Sequence, residues 1–103
     1  YPLPPNITIS KLIYSGRQRT GVDMEWLIQT DANLTGFFIE YQRILVPVGR
    51  SDIAPPWQKV AENLAPRIRR YQITNLDPNS IYAFRVTAVN YRTIGNPAEV
   101  TSP

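Results

Sequence analysis

The most informative segment of the chain is LDPNSIYAFRVTAVN, residues 76–90. It opens with a cluster of turn-forming residues from Leu76 to Ser80, and after that cluster the polarity alternates strictly. One face of the alternation carries Tyr82, Phe84, Val86 and Ala88, and the other carries Arg85 and Thr87. A period of two predicts an antiparallel strand that buries one face against a core and exposes the other.

Similar short segments recur along the rest of the chain. They are Ile7–Ile9, Val22–Trp26, Phe37–Tyr41, Trp57–Val60, Tyr71–Ile73 and a last strand that begins near Pro97–Val100. Turns and loops separate them, including a turn region from Asn90 to Asn96, and no stretch shows sustained helical periodicity. Seven short strands in 103 residues predict an all-β fold, a seven-stranded antiparallel β-sandwich.

Length and the two ends of the chain predict its organisation. Residues 1–5, YPLPP, are typical of a proline-stiffened lead-in between domains, and residues 6–103 are expected to form a single domain. Because the chain begins at Tyr1, we expect it to be a piece of a longer protein. The sequence holds no apolar run long enough to cross a bilayer, so we expect no direct membrane insertion by this domain.

Composition argues against several kinds of active site. The chain has no Cys and no His, which removes disulfides, thiolate nucleophiles, Ser-His-Asp relays and metal sites built on those residues. Asp23 and Glu25 share one strand face, but paired surface carboxylates without a pocket do not make a catalytic site. We therefore predict that the domain is not an enzyme and assign it no catalytic, cofactor-binding or metal-binding residue. Nucleic acid is not an expected partner, because the net charge of +3 is modest and no recognition helix is visible.

Taken in order, the segments resemble the fibronectin type III family over nearly the whole chain. Pro4-Pro5 before an Ile-x-Ile strand is similar to the family's first strand, and Val22–Trp26 is similar to the second, whose tryptophan packs between the sheets. Leu34–Tyr41 is similar to the third strand. Leu76–Tyr82 resembles the family's tyrosine corner, and Phe84–Asn90 its sixth strand. The resemblance implies an immunoglobulin-like β-sandwich taken from a larger multidomain protein.

The inward parity of the strands and this resemblance together predict a structural core. Its members are Trp26, Ile39, Tyr41, Leu76, Tyr82, Phe84 and Val86. Phe37 departs from the family because it stands where a tyrosine is usual, which removes one hydroxyl hydrogen bond at modest cost. Neither an Arg-Gly-Asp tripeptide nor a Trp-Ser-x-Trp-Ser signature is present, so integrin binding and cytokine-receptor function lose their support.

The resemblance implies a non-catalytic interaction or spacer module whose partners are other proteins. We expect it on the extracellular side of the plasma membrane, in a membrane-anchored adhesion molecule or receptor. An intracellular alternative is a structural module of a filament-associated, muscle-type protein. A further alternative is an accessory domain of a receptor enzyme, in which case the chemistry lies elsewhere in the parent chain.

Two acceptor patterns for N-glycosylation are present. They are Asn6-Ile7-Thr8, at the entry to the first strand, and Asn33-Leu34-Thr35, in a loop. Both asparagines are expected to be exposed, so Asn6 and Asn33 are candidate glycosylation sites. The alternative is that both are ordinary turn asparagines.

The segment from Arg43 to Pro56 is a candidate partner-binding loop. It is longer and more apolar than the family's usual link, and exposed apolar side chains on a stiff loop often mark an interface. Its candidate contact residues are Leu45, Val46, Val48 and Ile53. The equally weighted alternative is that Ile44–Val46 extend the third strand and that Val48 or Ile53 folds back to cap the core. A second candidate surface is the strand face that carries Phe38, Glu40, Gln42, Arg85 and Thr87.

Arginines occur in clusters, of which Arg67, Arg69 and Arg70 are the densest. A guanidinium fork matches sulfate and carboxylate groups, so these three residues are candidates for binding an anionic glycan such as heparan sulfate. The simpler interpretation is a solvated basic rim that is partly paired with Glu25, Glu40 and Glu62. No cofactor is expected.

Overall fold

A computed structural model describes residues 3–15, 20–30, 32–45, 56–77 and 81–101, and these ranges contain strands and no helix. The strands are β1 (Ile7–Ser15), β2 (Gly21–Ile28), β3 (Gly36–Leu45), β4 (Gln58–Leu64), β5 (Arg70–Ile73), β6 (Ile81–Asn90), β7 (Thr93–Ile94) and β8 (Ala98–Thr101). A membrane-spanning helix is absent from the described ranges.

The strands form two antiparallel sheets. The first has the order β1-β2-β5, and the second has the order β4-β3-β6-β7, with β8 also paired to β6. Every strand pair is antiparallel, and the inner faces of the two sheets enclose one apolar core. The predicted all-β antiparallel sandwich is therefore confirmed.

The structure has eight strands in the described ranges, against seven predicted from the sequence. The additional strand is β7, which lies in the segment Asn90–Asn96 that was expected to be a turn region, whereas β8 corresponds to the expected last strand. β7 pairs with Val89 and Asn90, and β8 pairs further back along β6, at Ala83 to Val86. Pro97 lies between them and has no N–H to donate, so it interrupts the ladder.

The core has an aromatic centre that the strand parity explains. Trp26, Ile39, Phe84 and Val86 are fully buried, and Leu76 and Tyr82 are nearly so. Tyr41 is only partly buried and packs against this cluster from its edge. The ring of Trp26 meets that of Phe37 edge-on, with centroids 5.6 Å apart. Each sheet thus contributes one large ring to the centre of the sandwich, an arrangement that aromatic quadrupoles favour.

Tyr82 closes the crossover between the two sheets. Its hydroxyl oxygen accepts a hydrogen bond from the backbone N–H of Asp77 at 2.9 Å, while its ring packs against Tyr41 at 5.4 Å. The Asp77 carboxylate in turn pairs with the guanidinium of Arg43 on β3. Asp77, which lies after β5, is therefore joined to β6 through Tyr82 and to β3 through Arg43. The first of these contacts is the hydrogen bond of a tyrosine corner.

Candidate interaction surface

The outer face of the second sheet carries interlocked charged and aromatic side chains. Glu40 lies opposite Arg85 in the β3–β6 register, and Arg85 Nε donates to Glu40 Oε1 at 2.6 Å. The Arg85 guanidinium also lies 4.1 Å from the ring centroid of Trp57. Only 12% of the Glu40 side chain and 26% of the Arg85 side chain are exposed, so this ion pair is partly shielded from solvent. A shielded, charge-assisted pair under an aromatic ring holds its geometry better than a surface pair.

A second aromatic–cation contact lies beside the first. Lys59 Nζ is 4.9 Å from the ring centroid of Phe38 and 3.0 Å from Glu62 Oε1. Phe38 alternates with the buried Phe37 and Ile39 along β3, so its ring faces outward. The outer face of the second sheet thus carries two aromatic–cation contacts.

One residue expected on this exposed face is buried. Thr87 is 2% exposed, although its parity along β6 is the one predicted. β6 lies in the middle of the sheet, between β3 on one side and β7 and β8 on the other, and Thr87 pairs with Phe38. A short side chain in that position is covered by its larger neighbours, so alternation predicted the side of the sheet correctly and the exposure wrongly.

The turn from β6 to β7 has an unusual backbone. Among the described non-glycine residues, four have φ in the left-handed region, and three of these are asparagines: Asn33, Asn63 and Asn75. The fourth is Tyr91, with φ of 56°. Asparagine tolerates this conformation, whereas a bulky side chain adopts it only under constraint from its surroundings. Tyr91 and Arg92, which we call the Tyr91 turn, are therefore held rather than relaxed.

Thr35 supplies that constraint. Its hydroxyl oxygen accepts a hydrogen bond from the Tyr91 N–H at 2.9 Å and donates one to the Val89 carbonyl at 3.1 Å. The Thr35 N–H donates to the same carbonyl at 2.8 Å. One residue before β3 thus fixes the backbone on both sides of Asn90. The Tyr91 side chain itself remains outside, and the residue is 64% exposed.

A groove of about 410 Å³ lies beside the Tyr91 turn. Its lining includes Lys59 on β4, Phe38 on β3, Tyr91 in the turn after β6 and Ile94 on β7, elements that follow one another across the sheet. Ile94 is 59% exposed and extends the apolar surface beside Tyr91. We call this feature the Phe38 groove. It combines apolar walls with the charged tips of Lys59, Glu62 and Arg92.

Gly36 is required beneath the groove. A Cβ at this position would lie 2.5 Å from the Leu64 carbonyl oxygen, a distance that no real contact has. Only glycine allows the start of β3 to approach the end of β4 so closely.

The other candidate loop is mostly outside the described residues. Val46, Val48 and Ile53 lie in the undescribed stretch 46–55, and of Leu45 only the backbone is described, at the end of β3. Phe38, by contrast, lines the groove. β3 continues through Ile44 and Leu45, as the strand-extension alternative expects, and Ile44 is 42% exposed. Partner binding through either surface stays a prediction.

The arginine cluster is divided by the structure. Arg67 and Arg70 are exposed, but Arg69 Nη1 donates to the carbonyls of Pro66 and Ile68 at 2.7 and 2.9 Å. The Arg69 guanidinium also lies 5.7 Å from the Phe37 ring centroid. Of the three carboxylates expected to pair with arginines, Glu40 does so, whereas Glu25 pairs with Lys11 at 3.8 Å and Glu62 pairs with Lys59. Heparan sulfate binding stays a prediction, for which Arg67 and Arg70 have the available guanidinium groups.

Sequence reasoning missed Tyr91, Ile94 and Trp57 as surface residues. Tyr91 and Ile94 fell in a segment interpreted only as a turn region, and Trp57 was assigned to a strand. The available signal was an aromatic and a β-branched residue within a segment otherwise rich in Asn and Gly, since solvated turns are usually polar. The described residues hold no cluster of three or more Asp or Glu side chains placed to bind a metal.

The sequence profile of the fibronectin type III domain matches residues 5–103. The chain is a fibronectin type III domain. A curated relative of this domain is the Xenopus laevis protein named "Cell adhesion molecule-related/down-regulated by oncogenes", which is 30% identical over 78 residues. That match covers 74% of this chain and 6% of the relative, so the domain corresponds to a small part of that protein.

Two solved structures show the same fold. A computationally redesigned β-sandwich protein superposes with a TM-score of 0.62 at 21% identity, covering 99% of this domain and 89% of that chain. The FN1–FN3 domains of chicken CNTN1 superpose with a TM-score of 0.59 at 18% identity, covering 98% of this domain and 32% of that chain. At these identities the likeness concerns the fold alone.

Proposed function

We propose that this fibronectin type III domain is a non-catalytic protein-interaction module in the extracellular region of a cell-surface adhesion molecule or receptor, and that it binds through the Tyr91 turn and the Phe38 groove. The observation that carries the proposal is Tyr91 itself. Its backbone is held in a conformation unfavourable to tyrosine by the Thr35 hydroxyl, while its side chain is presented to solvent. Strain of this kind persists where the surrounding structure enforces it and is concentrated at ligand-binding positions.

The groove and turn have the features of a binding surface built in advance. Tyrosine is among the residues that dominate interface energetics, because it brings a large contact area and loses few rotamers on binding. Ile94 and Phe38 extend the apolar surface next to it, with charged side chains at the rim. Since the Thr35 hydrogen bonds already hold the turn, little conformational entropy remains to be lost when a partner docks.

The setting of the domain in a cell-surface protein is supported by its relative. The Xenopus laevis protein that it resembles bears a cell-adhesion name, and the match spans most of this domain. We place the domain, residues 6–103, on the extracellular side of the plasma membrane within a larger membrane-anchored protein, with residues 1–5 as a stiff connection to a preceding domain. Its partners are other proteins, and heparan sulfate is a further predicted ligand.

The binding surface is tested with beads coated with this chain and applied to cultured animal cells. Ile94→Ser is compared with Leu27→Ser, because each residue is 59% exposed and the two lie on different sheets. We expect Ile94→Ser to reduce bead attachment several-fold and Leu27→Ser to leave it unchanged, with unfolding midpoints of both variants close to that of the original chain. Equal attachment by the two variants contradicts the proposed surface.

The cellular setting is tested separately, with an antibody against the folded domain on intact and permeabilised cells that express the parent protein. Staining of intact cells supports the adhesion or receptor class. Staining only after permeabilisation contradicts it and favours the intracellular filament-associated alternative.

A further inference from the structure

The two acceptor asparagines have different surroundings in the folded domain. Asn33 is exposed, has φ of 66°, and lies in the loop between β2 and β3. Its side-chain amide has no hydrogen-bond partner within the described ranges. A sugar on such a residue projects into solvent without disturbing a contact, which suits the bulk of an N-linked glycan.

Asn6 is engaged. Its Oδ1 accepts a hydrogen bond from Asn96 Nδ2 at 3.2 Å, which links the entry of β1 to the segment that precedes β8. Ile7, directly after it, is 8% exposed and belongs to the core. A glycan bonded to Asn6 Nδ2 would leave Oδ1 able to accept this hydrogen bond, but it would attach the sugar directly beside the Asn96 amide. The two motifs, which the sequence leaves equal, therefore differ in their surroundings.

The position of Asn33 relative to the Phe38 groove is set by Thr35, which serves two purposes. It is the hydroxyl residue of the acceptor motif, and its side chain holds the Tyr91 turn. Two residues of extended chain span at most roughly 7 Å, so Asn33 lies within about that distance of Thr35 along the backbone. Thr35 and Tyr91 both line the groove. A sugar on Asn33 is therefore attached close to Thr35, whose hydroxyl contacts the Tyr91 turn.

We propose that Asn33, and not Asn6, carries an N-linked glycan, and that this glycan shields the Tyr91 end of the Phe38 groove. In the transfer step, Asn33 Nδ2 forms a bond to the anomeric carbon of a lipid-diphosphate-linked oligosaccharide. The bond from that carbon to the diphosphate oxygen breaks, the lipid diphosphate leaves with the bonding electrons, and the amide loses one proton. The glycan therefore limits the access of a partner to the proposed surface at Tyr91.

The site assignment is independent of any binding function and is tested first. The chain is produced in animal cells behind a cleavable secretion signal and treated with peptide-N-glycosidase in ¹⁸O-labelled water, which converts a glycosylated Asn to labelled Asp. We expect the label at residue 33 and a mobility shift that is retained in Asn6→Gln and lost in Asn33→Gln. Thr35→Ser keeps both the acceptor motif and the turn-holding hydroxyl and is expected to keep glycan. Label at residue 6 alone, or no label, overturns the proposal.

The proposed shielding of Tyr91 matters only if the proposed function holds, but it can be measured without a partner. The probe is tetranitromethane, with nitration of individual tyrosines followed by peptide mass spectrometry. We expect Tyr91 to react several-fold more slowly in the glycosylated chain than in Asn33→Gln, while Tyr71, which lies on the other sheet, reacts equally in both. Equal Tyr91 rates overturn the shielding and leave the proposed binding surface standing. If Ile94→Ser and Leu27→Ser attach equally while the glycan still slows nitration of Tyr91, the binding surface is overturned and the glycan assignment stands.

Discussion

The two ends of β6 each use one tyrosine and one hydroxyl, in opposite ways. At the first end Tyr82 is 5% exposed, and its hydroxyl accepts a hydrogen bond from the backbone N–H of Asp77. At the other end Tyr91 is 64% exposed, and its backbone N–H donates to the hydroxyl of Thr35. The side chain of the first tyrosine holds the fold together, whereas the second tyrosine is itself held by the fold.

The difference separates stability from recognition within one strand. Removing a side chain that the core surrounds leaves a cavity and an unpaired backbone donor, both of which cost folding free energy. Removing one that points into solvent costs the fold little, and the loss is seen only when a partner docks. The two tyrosines therefore make a matched pair for experiment.

The largest effect on stability is expected from Tyr82→Ala, measured beside Tyr91→Ala. Tyr82→Ala should lower the unfolding free energy by about 3–5 kcal/mol, because it empties a site between the Tyr41 and Phe84 rings and removes the partner of the Asp77 N–H. Tyr91→Ala should change it by no more than about 0.5 kcal/mol. Urea denaturation of the two variants checks this. Similar losses in both would show that Tyr91 is structural and would remove the contrast.

A smaller effect is expected where the Tyr91 turn is held. Thr35→Val keeps the shape of the side chain and removes the hydroxyl that joins the Tyr91 N–H to the Val89 carbonyl. The expected loss is about 0.5–1.5 kcal/mol, since both groups are near solvent and regain water. Amide exchange at Tyr91 should accelerate while exchange in the middle of β6 stays slow. Thr35→Ser is the control, and an unchanged Tyr91 exchange rate in Thr35→Val would show that Thr35 does not hold the turn.

The same strand shows how far the sequence predicts this molecule. Alternation correctly predicts that Tyr82, Phe84 and Val86 face the core, because successive residues of a half-buried strand point to opposite faces of the sheet. The seven predicted core residues rest on that alternation together with the family resemblance. Alternation of polarity does not predict the short β7, since a strand of two residues is too short to show a period. It also did not show the burial of Thr87, which depends on the sizes of neighbours from other strands.

The surface was harder to predict for a similar reason. The strained backbone of Tyr91 follows from a hydrogen bond to a residue distant in sequence, and the Trp57–Arg85 contact reaches across β3. Pairings of this kind leave no periodic trace. Phe38 was proposed because its parity pointed outward, and it lines the groove, whereas the residues beside it belong to elements that the sequence alone did not bring together.

A small effect on stability is also expected from Tyr91→Gly, and this variant is the sharpest test of the contrast. Glycine adopts φ near 56° without steric cost, which relieves strain in the folded state, but it also raises the entropy of the unfolded chain. The two terms oppose each other, so the unfolding free energy should change by less than about 1 kcal/mol.

Bead attachment should fall as far as in Tyr91→Ala, because both variants lack the exposed ring. Tyr91→Asn, which also tolerates the left-handed region, separates backbone strain from the ring: it should match Tyr91→Gly in attachment. If Tyr91→Gly kept full attachment, the ring would have no part in recognition, and the strain at this position would need another cause.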